Sequence, residues 1–385
     1  MLTFKYRLHY FSEKLGREVG EVYWCTIINS LALALVMIFE PIYLYTLGYS
    51  LTRIMWFFVE VYVLYLVFIT LGAKFASRFG YKHSIFVSNI FYVAYWMTLF
   101  SIKSHPALIL VAPAFYALQK SWFWPAYDAE VALATVKTQR GRETGVLYAL
   151  TQFAFIIGPL VGGLVSENFG FFVMFSLASI LMILSVYPLF TSPEVYSRHE
   201  FKFSNFFKMF SKHKRNFFGY WGYAEDLTIM SLWPVYMYLI IPDFLNLGLI
   251  STIATVIGTM LMLYIGKLSD SGSKRSLIRN TSTFYAATWI IRFMARDLWS
   301  VVTFDALTKT GKDLTSVPMT ALTFERAGEG GPDHAIAYTV FYEVSLSVGK
   351  IVTALAAIAI LAATGNIFLV FAAVGALTLF YGLLK

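Results

Sequence analysis

Twelve apolar segments of membrane-spanning length recur along almost the whole chain. A transmembrane helix needs about 20 residues with few charges, and each segment meets that requirement. Only 14% of the 385 residues are charged, whereas soluble domains have about 25%, so the charged residues are too few to cover a surface in water. The composition therefore excludes a soluble enzyme, a nucleic-acid-binding protein and a disordered protein. The predicted segments are 21–47, 51–75, 83–103, 106–133, 144–167, 170–191, 217–242, 246–269, 277–297, 299–325, 334–362 and 366–385.

The apolar runs predict helices and not strands. They are continuous, and they lack the alternation with period two that is typical of a membrane β-barrel. An open sheet edge in lipid would also leave backbone groups without hydrogen bonds. The predicted fold class is all-α, a polytopic membrane protein with twelve transmembrane helices.

The longest connection, 192–216, divides the chain into two halves of six segments. We therefore predict an N-terminal six-helix bundle at 1–191, a cytoplasmic linker at 192–216 and a C-terminal six-helix bundle at 217–385. The linker sequence FKFSNFFKMFSKHKRNF, residues 201–217, places phenylalanines at helical spacing among lysines. That pattern is typical of an amphipathic helix lying at the membrane surface.

Loop charges predict the orientation in the membrane. The net charge is +8, and most of the basic residues lie in the N-terminus, the linker and alternate loops. Basic loops stay in the cytoplasm, so both termini are expected there, in a plasma or inner membrane. The first 20 residues are mixed and charged, which predicts no cleavable signal peptide. The single cysteine, Cys25, excludes an internal disulfide and the usual thiolate metal sites, and no metal or cofactor is expected.

The two halves contain an internal repeat at a constant offset of 193 residues. The end of segment 1 reads EPIYLYTLG and the end of segment 7 reads WPVYMYLII. Equivalent pairs are Pro41 and Pro234, Tyr43 and Tyr236, Tyr45 and Tyr238, and Pro125 and Pro318. Two copies in the same orientation predict two pseudo-symmetric bundles around an axis along the membrane normal.

With this repeat, the whole chain resembles the major facilitator superfamily, and in particular its drug/proton antiporters. That family carries a loop motif, G-x-L-a-D-r-x-G-r-k, between its second and third and its eighth and ninth spans. Ser77 stands where the first copy of the motif has aspartate. Residues that match the motif are Arg78, Gly80 and Lys82 in the first half, and Gly266, Asp270, Lys274 and Arg275 in the second. The resemblance implies a role for these residues in gating.

Segment 5 resembles the antiporter motif G-x-x-x-G-P-x-x-G-G. The matching residues are Gly158, Pro159, Gly162 and Gly163. The resemblance implies proton-coupled export, and simple close packing of small residues is the alternative. In segment 4, Tyr116 replaces the arginine of a third family motif and Lys120 replaces a glycine, so the proton mechanism of the drug exporters does not transfer directly.

Ionisable residues inside the segments are the candidate site, because each costs about 2.5 kcal/mol or more in a bilayer. The resemblance implies that segments 1, 4, 7 and 10 line a central cavity, with segment 11 beside them. Lys350 and Glu343 lie on segment 11. The substrate-binding candidates are Tyr116, Lys120, Trp124, Trp233, Tyr236, Lys309 and Lys312. The proton-coupling candidates are Asp128, Asp226, Asp313, Glu40 and Glu343.

For segment 10 the alternative is structural ion pairing, because Asp305 with Lys309 and Lys309 with Asp313 are both spaced i,i+4.

The candidate site combines charges of both signs with aromatic residues, and this combination favours an amphipathic or zwitterionic solute.

The predicted function is secondary active transport of a small organic solute by alternating access. The chain is not expected to be an enzyme, and it lacks a phosphate-binding G-x-x-x-x-G-K-[ST] loop, so the energy must come from an ion gradient or from the gradient of the solute itself. We expect proton-coupled export, an antiport. The alternatives are proton- or sodium-coupled import of a polar solute and a non-transporting membrane sensor or scaffold. The expected partners are the solute, a proton or sodium ion and the lipid bilayer, with no nucleic acid, for a monomeric protein.

Overall fold

The computed structural model describes residues 17–134, 140–194, 201–268 and 274–384. All regular elements in these ranges are helices. The α-helices are α1 (Arg17–Val36), α2 (Phe39–Thr46), α3 (Leu51–Phe79), α4 (Tyr81–Ser101), α5 (Ala112–Ala134), α6 (Arg140–Leu184), α7 (Ser204–Gly219), α8 (Asp226–Met230), α9 (Leu232–Ile240), α10 (Phe244–Leu268), α11 (Lys274–Ile291), α12 (Leu298–Ala327), α13 (Pro332–Thr364) and α14 (Ile367–Thr378). Short 3₁₀ helices occupy Pro106–Leu110, Tyr187–Thr191, Tyr220–Glu225, Arg292–Met294 and Leu379–Leu383.

Each of the twelve predicted segments contains described helices, and this arrangement is consistent with twelve crossings. α6 covers both segment 5 and segment 6. Gly170, at φ +80°, breaks the helical path between the two segments. Segments 1 and 7 are interrupted, by a turn at Met37 and Ile38 and by a break at Ser231. Within the described ranges, six stretches are long and apolar enough to span a membrane by length and composition, namely Val19–Thr46, Leu51–Phe79, Tyr81–Ser101, Gly145–Thr191, Phe244–Met262 and Pro332–Thr364.

Local signals in the sequence explain several helix boundaries. Ser50 caps α3 by accepting a hydrogen bond from the backbone N–H of Arg53 at 3.2 Å. Asp297 begins α12 with a capping box that includes Ser300. Such caps satisfy backbone donors that the first turn leaves free. At Gly80, with φ +101°, α3 turns directly into α4, in a conformation that other residues rarely adopt.

The repeat is visible in the helices. α2 and α9 begin at Phe39 and Leu232, and α3 and α10 begin at Leu51 and Phe244. Both offsets are 193 residues, the offset of the sequence repeat. Each half packs its own helices, α1 against α6 and α5 against α3 and α4 in the first, and α12 against α10 and α11 in the second.

The main contacts between the two halves involve three pairs of long helices. α6 packs against α10, and α13 packs against α3 and α5. We define the linker end as the end of the bundle with the turn at Gly80 and helix α7, and the far end as the end with the turns at Gly48, Gly170 and Gly365. Both ends hold contacts between the halves, and these contacts enclose the polar centre described below.

Large apolar side chains cover the outer surface of the helices. Soluble proteins rarely expose apolar patches of this extent, whereas apolar side chains are compatible with the hydrocarbon core of a bilayer. Examples are Val67, Phe153, Phe169, Ile180, Met260 and Trp299, each more than half exposed. The protein is therefore built as a multi-pass membrane protein, and many of the charged side chains within its spanning segments are buried.

Candidate functional site

Asp226 lies at the centre of the bundle, bound to two lysines from different helices. Its Oδ2 accepts a hydrogen bond from Lys350 of α13 at 2.9 Å, and its Oδ1 is paired with Lys312 of α12. Lys350 also donates to the hydroxyl of Tyr62 on α3 at 3.2 Å. The rings of Tyr62 and Tyr223 lie beside these ammonium groups, at 5.1–5.6 Å from ring centre to nitrogen. Asp226 therefore joins three helices of the second half, with α3 of the first half beside it.

Lys120 of α5 faces the same centre from the first half. It is 6% exposed, and its Nζ lies 4.8 Å from the ring centre of Tyr116, 5.4 Å from Tyr62 and 5.9 Å from Trp124. Among the described residues it has no hydrogen-bond partner and no carboxylate within ion-pair distance. Aromatic faces attract a cation, but they do not neutralise it. Lys120 is thus a buried ammonium group held among aromatic faces, with Glu343 and Glu40 within electrostatic reach but not in direct ion pairs with it.

We call Lys120, Asp226, Lys312, Lys350, Tyr62 and Tyr223 the central cluster. It places three ammonium groups around one carboxylate. A buried ion pair is stable only with good geometry and further hydrogen bonds, and only two of the three lysines have the carboxylate as partner. This arrangement can bind an anionic group between the halves, through Lys120 and through lysines that exchange partners.

Two further predicted carboxylates, Glu343 and Asp128, lie next to the central cluster. Glu343 of α13 accepts a hydrogen bond from the hydroxyl of Tyr65 on α3 at 2.9 Å. Asp128 of α5 lies within electrostatic reach of Glu343 and has no hydrogen-bond partner among the described residues. Both are buried. The structure thus brings together two candidates that are 215 residues apart in the sequence.

Asp313 is held by the opposite half and not by its helical neighbour. Its Oδ2 accepts a hydrogen bond from Gln152 of α6 at 2.9 Å, and Gln152 in turn contacts the hydroxyl of Tyr148. Of the two i,i+4 pairs considered for α12, Asp305 with Lys309 is present at 2.8 Å. No ion pair between Lys309 and Asp313 is found in the described part of the chain.

Trp233, Tyr236 and Lys309 lie toward the far end, apart from the central cluster. Lys309 binds Asp305 and also donates to Ser251 and Thr255 of α10. Trp233 donates to Asp305 at 2.8 Å, and Tyr236 donates to a backbone carbonyl at 2.7 Å. Protein partners therefore occupy the polar groups of all three. Trp233 and Lys309 still line a small cavity between the halves, which Met37 and Pro159 border from the first half.

Toward the far end, the buried Arg292 packs against Trp233. The guanidinium of Arg292 lies between the rings of Trp233 and Trp289, 4.0 and 4.2 Å from their centres. Its Nη2 is 3.8 Å from Asp305. This stacked cation fixes α9, α11 and α12 relative to one another.

Glu40 belongs to the packing of the first half. It accepts hydrogen bonds from Trp96 at 2.7 Å and from Tyr95 at 3.1 Å. Tyr95 stacks on Tyr116 with ring centres 4.5 Å apart. Glu40 is thus linked to Lys120 through this ring stack, without a direct ion pair in the described residues.

At the linker end, the predicted gating residues have distinct environments. Lys82 is buried, with its Nζ 2.6 Å from the Ser192 hydroxyl and 3.3 Å from Glu21, so it ties α1 to α4 within the first half. Arg78 is exposed. Asp270 and the side chains of Lys274 and Arg275 lie outside the described residues, and Gly266 is described only as part of helix α10.

Tyr81, next to Lys82, makes the contact with the second half at this end. Its hydroxyl donates to the carbonyl of Pro332, the first residue of α13, at 3.0 Å. Ser77, which replaces the family aspartate, donates to Ala73 of its own helix at 2.8 Å. Ser77 therefore supplies no charge to the contact between the halves, and Tyr81 supplies a neutral hydrogen bond.

The small residues of α6 form the crossing of three helices. Gly158 and Gly162 face α1, against Ala34 and the carbonyl of Leu35. On the other side, Gly163 touches the carbonyl of Phe244 on α10, and Gly248 of α10 touches the carbonyl of Pro159. The motif is thus a packing site within the first half and also the contact between the halves.

Alanine at Gly163 or Gly248 is expected to lower the melting temperature and the transport rate. A Cβ at either position would overlap a backbone carbonyl, and overpacking costs about 1–3 kcal/mol. Gly145 of the same helix α6 is the matched control, because a Cβ there meets open space. Gly145→Ala should be neutral or stabilising by up to about 1 kcal/mol. Equal effects of all three substitutions in thermal melts of the purified protein would contradict this packing role.

Sequence analysis missed several residues that complete the site. Tyr62, Tyr65, Tyr223 and Gln152 were not among the predicted site residues. Lys350 was noted but not assigned a role, although its spacing of seven from Glu343 places both on one face of α13. That spacing was the available signal.

The amino-acid sequence is similar to several bacterial proteins. An uncharacterised protein of Bacillus subtilis (strain 168), YqgE, is 22% identical over 373 residues, covering 91% of this chain and 86% of the relative. Multidrug resistance protein 2 of the same organism is 25% identical over 225 residues, 54% of this chain and 55% of the relative. A Na(+), Li(+), K(+)/H(+) antiporter of Planococcus maritimus is 28% identical over 131 residues, 33% and 31% of the two chains.

The fold matches that of solved transporter structures. The human organic anion transporter MFSD10 (TETRAN) superimposes with a TM-score of 0.68 at 13% identity, over 95% of this chain and 99% of the other. A sequence model of the Major Facilitator Superfamily matches residues 22–295. The twelve helical segments, the repeat and this match lead to one conclusion, that the chain belongs to the Major Facilitator Superfamily of membrane transporters.

Proposed function

We propose that this transporter exports a small amphipathic organic solute that carries an anionic group, in exchange for protons. The observation that carries the proposal is Lys120, a buried ammonium group that forms no direct ion pair among the described residues, aimed at the centre from the first half. Lys312 and Lys350 reach the same centre from the second half. An anion bound here would contact both halves at once, as alternating access requires.

The aromatic surroundings of Lys120 favour an amphipathic solute. Tyr116, Trp124 and Tyr62 provide ring faces on which an apolar group can pack. A sugar would require more amide and hydroxyl partners than this centre offers. The proposed substrate therefore combines a carboxylate or similar anion with an apolar or aromatic body, and zwitterions are included because Asp226 is near.

The carboxylates divide into two groups by their partners. Asp226 binds two ammonium groups, and we assign it the role of counter-charge. Among the described residues, Asp128, Asp313 and Glu343 have no ammonium group within ion-pair distance, only neutral donors or none. These three are the proposed proton carriers. Glu40, with two neutral donors inside the first half, is the next candidate.

The export direction is supported by α6 and by the relatives. Its residues 154–163 are similar to the antiporter motif, and they pack directly against α10 of the other half. One relative is named a multidrug resistance protein and another an antiporter. We further propose that the linker end faces the cytoplasm, as its basic loops indicate, with the six-helix halves at 1–191 and 217–385.

One observation favours a second candidate, proton-coupled uptake of the anion. Tyr116 replaces the arginine of the family's third motif, and a proton on Asp128 or Glu343 would accompany an anion bound at Lys120. Proton and anion would in that case bind together, which is the behaviour of a symporter.

The sign of proton movement in proteoliposomes distinguishes the two candidates. With the purified protein in vesicles that contain a pH-sensitive dye, we expect an outward gradient of an amphipathic anion to drive protons inward. Proton movement in the direction of the solute would establish symport. Solute movement that is driven by a sodium gradient, without proton movement, would establish sodium coupling. Protein-free vesicles control for leakage, and no movement with any tested anion would contradict the proposal.

A further inference from the structure

Helix α7 is fixed on the first part of α13. Phe206 and Phe217 lie on one side of α7 and contact the ring of Phe341, with ring centres 6.3 and 5.9 Å apart. Ser345 of α13 donates a hydrogen bond to the carbonyl of Phe217. α7 therefore has a defined place at the linker end, and its other sides are turned away from α13.

This place lies at the level of a membrane surface. α13 has 33 residues, which is about 50 Å of helix, whereas the hydrocarbon core of a bilayer is about 30 Å thick and is spanned by about 20 residues. Counted back from Thr364 at the far end of α13, about 20 residues reach Ser345. The contact between α13 and α7 is therefore at the height of the lipid headgroups of the linker-side leaflet.

A second side of α7 exposes large aromatic rings. Phe207 is 61% exposed and Phe203 is 38% exposed. The two residues are spaced i,i+4, so they share one side of the helix, and their ring centres are 5.5 Å apart. Exposed rings are unfavourable in water, and they are typical of a surface helix whose apolar side enters the boundary between headgroups and acyl chains.

Lysines occupy a third side of α7. Lys208 and Lys212 are also spaced i,i+4, and both are exposed. They form no ion pair in the part of the chain that the structure describes. Residues 201–224 contain five lysines and arginines and no aspartate or glutamate. This charge is complementary to a leaflet that contains anionic lipid, and the height of α7 places its lysines beside the phosphate groups.

We propose that α7 is a binding site for anionic phospholipids, with Phe203 and Phe207 inserted at the acyl-chain boundary and Lys208 and Lys212 bound to headgroup phosphates. The site requires neither the proposed solute nor proton coupling. Because α7 is fixed on α13, and α13 packs against α3 and α5 of the first half, lipid bound at α7 also holds a helix that lies between the halves.

Spin labels measure the insertion of α7 without any substrate. In a chain with Cys25 replaced by alanine, the label is attached through Phe207→Cys or through Ser204→Cys, and both positions are exposed. In vesicles of equal parts phosphatidylcholine and phosphatidylglycerol, we expect oxygen to reach the label at position 207 more readily than a water-soluble nickel chelate does. The reverse is expected at position 204, which lies toward the lysines.

The dependence on charge is tested with lipid and salt. Phosphatidylcholine alone should raise the access of the nickel chelate to position 207. Salt at about 1 M should have the same effect in the mixed vesicles, because it shortens the screening length to about 3 Å.

Replacing both lysines tests which residues bind the lipid. Each lysine at an anionic surface strengthens binding by about fivefold, so Lys208→Gln with Lys212→Gln should lower the ratio of inserted to withdrawn label by about 25-fold. Lys74→Gln with Lys103→Gln is the matched control, because it removes the same charge from two exposed lysines outside α7. The control should keep the ratio, and thermal melts identify any variant that has unfolded.

The proposal is overturned if the label at position 207 is inserted equally in both kinds of vesicle, or if the control pair lowers the ratio as much as the α7 pair. It is also overturned if the label stays in water in every vesicle, a result that would leave this side of α7 to an acidic protein partner. Failure of the proposed transport is distinguishable, because the label measurements use no solute and no proton gradient.

Discussion

Replacing Asp226 by asparagine is expected to abolish transport and to lower the free energy of unfolding by about 3–5 kcal/mol, the cost of leaving a buried ion partner unpaired. The carboxylate balances both Lys312 and Lys350, and asparagine leaves two ammonium groups without it. Thermal melts of the purified protein measure the stability, and uptake into vesicles measures the transport.

A second substitution separates the two effects. Lys350→Met in the Asp226→Asn background removes one of the uncompensated charges and keeps the length of the side chain, so it should recover part of the lost stability. It should not recover transport, because the cluster has then lost both its counter-charge and one lysine. A single Asp226→Asn variant that melts and transports like the unsubstituted protein would refute the assigned role.

Lys120→Met is expected to behave in the opposite way, losing substrate binding without losing stability. The ammonium group forms no direct ion pair in the described residues, so its removal breaks no contact with a carboxylate. It also relieves the cost of burying a cation in the free protein. A hydrogen bond to a charged group contributes about 1.5–3 kcal/mol, and loss of that bond weakens binding of an anionic solute by about 10- to 150-fold.

Lys309→Met provides the comparison for Lys120→Met. Lys309 is paired with Asp305 at 2.8 Å and bonded to α10, so its removal should lower the melting temperature. Ligand-dependent thermal shifts with an amphipathic carboxylate measure binding to the Lys120 variant. If Lys120→Met lowers the melting temperature as much as Lys309→Met and leaves binding unchanged, Lys120 is a structural residue.

The helical segments and the repeat could be predicted because both depend on local sequence. The length of an apolar segment alone predicts a membrane span, and the 193-residue offset is visible when the sequences of the two halves are aligned. The breaks within segments 1 and 7 were missed, and continuous helices were expected there. Pro41 and Pro234 carried the signal, since proline is tolerated in a first turn and not in a helix interior. They occupy the third position of α2 and of α9.

The partners of the charged residues could not be predicted, because they depend on how distant helices pack. Asp226 and Lys350 are 124 residues apart, and Gln152 and Asp313 are 161 apart. Helical spacing identified the pair of Asp305 and Lys309 as an alternative, and it suggested equally a pair of Lys309 and Asp313 that the described structure does not contain. Local periodicity gives the face on which a side chain lies, and the facing helix then selects its partner.

The break at Ser231 divides segment 7 into two pieces with separate anchors. α9 is fixed through Trp233 to Asp305, beside the stacked Arg292, while Asp226 of α8 is fixed to the lysines of the central cluster. A continuous helix would transmit any tilt at the centre along its full length to the outer rim. Because of the break at Ser231, α8 can move with a bound solute while α9 keeps the far end closed. Rearrangement at the centre and opening of the far end therefore need not coincide. A fully enclosed intermediate, sealed on both sides around its cargo, is the natural product of such a jointed span.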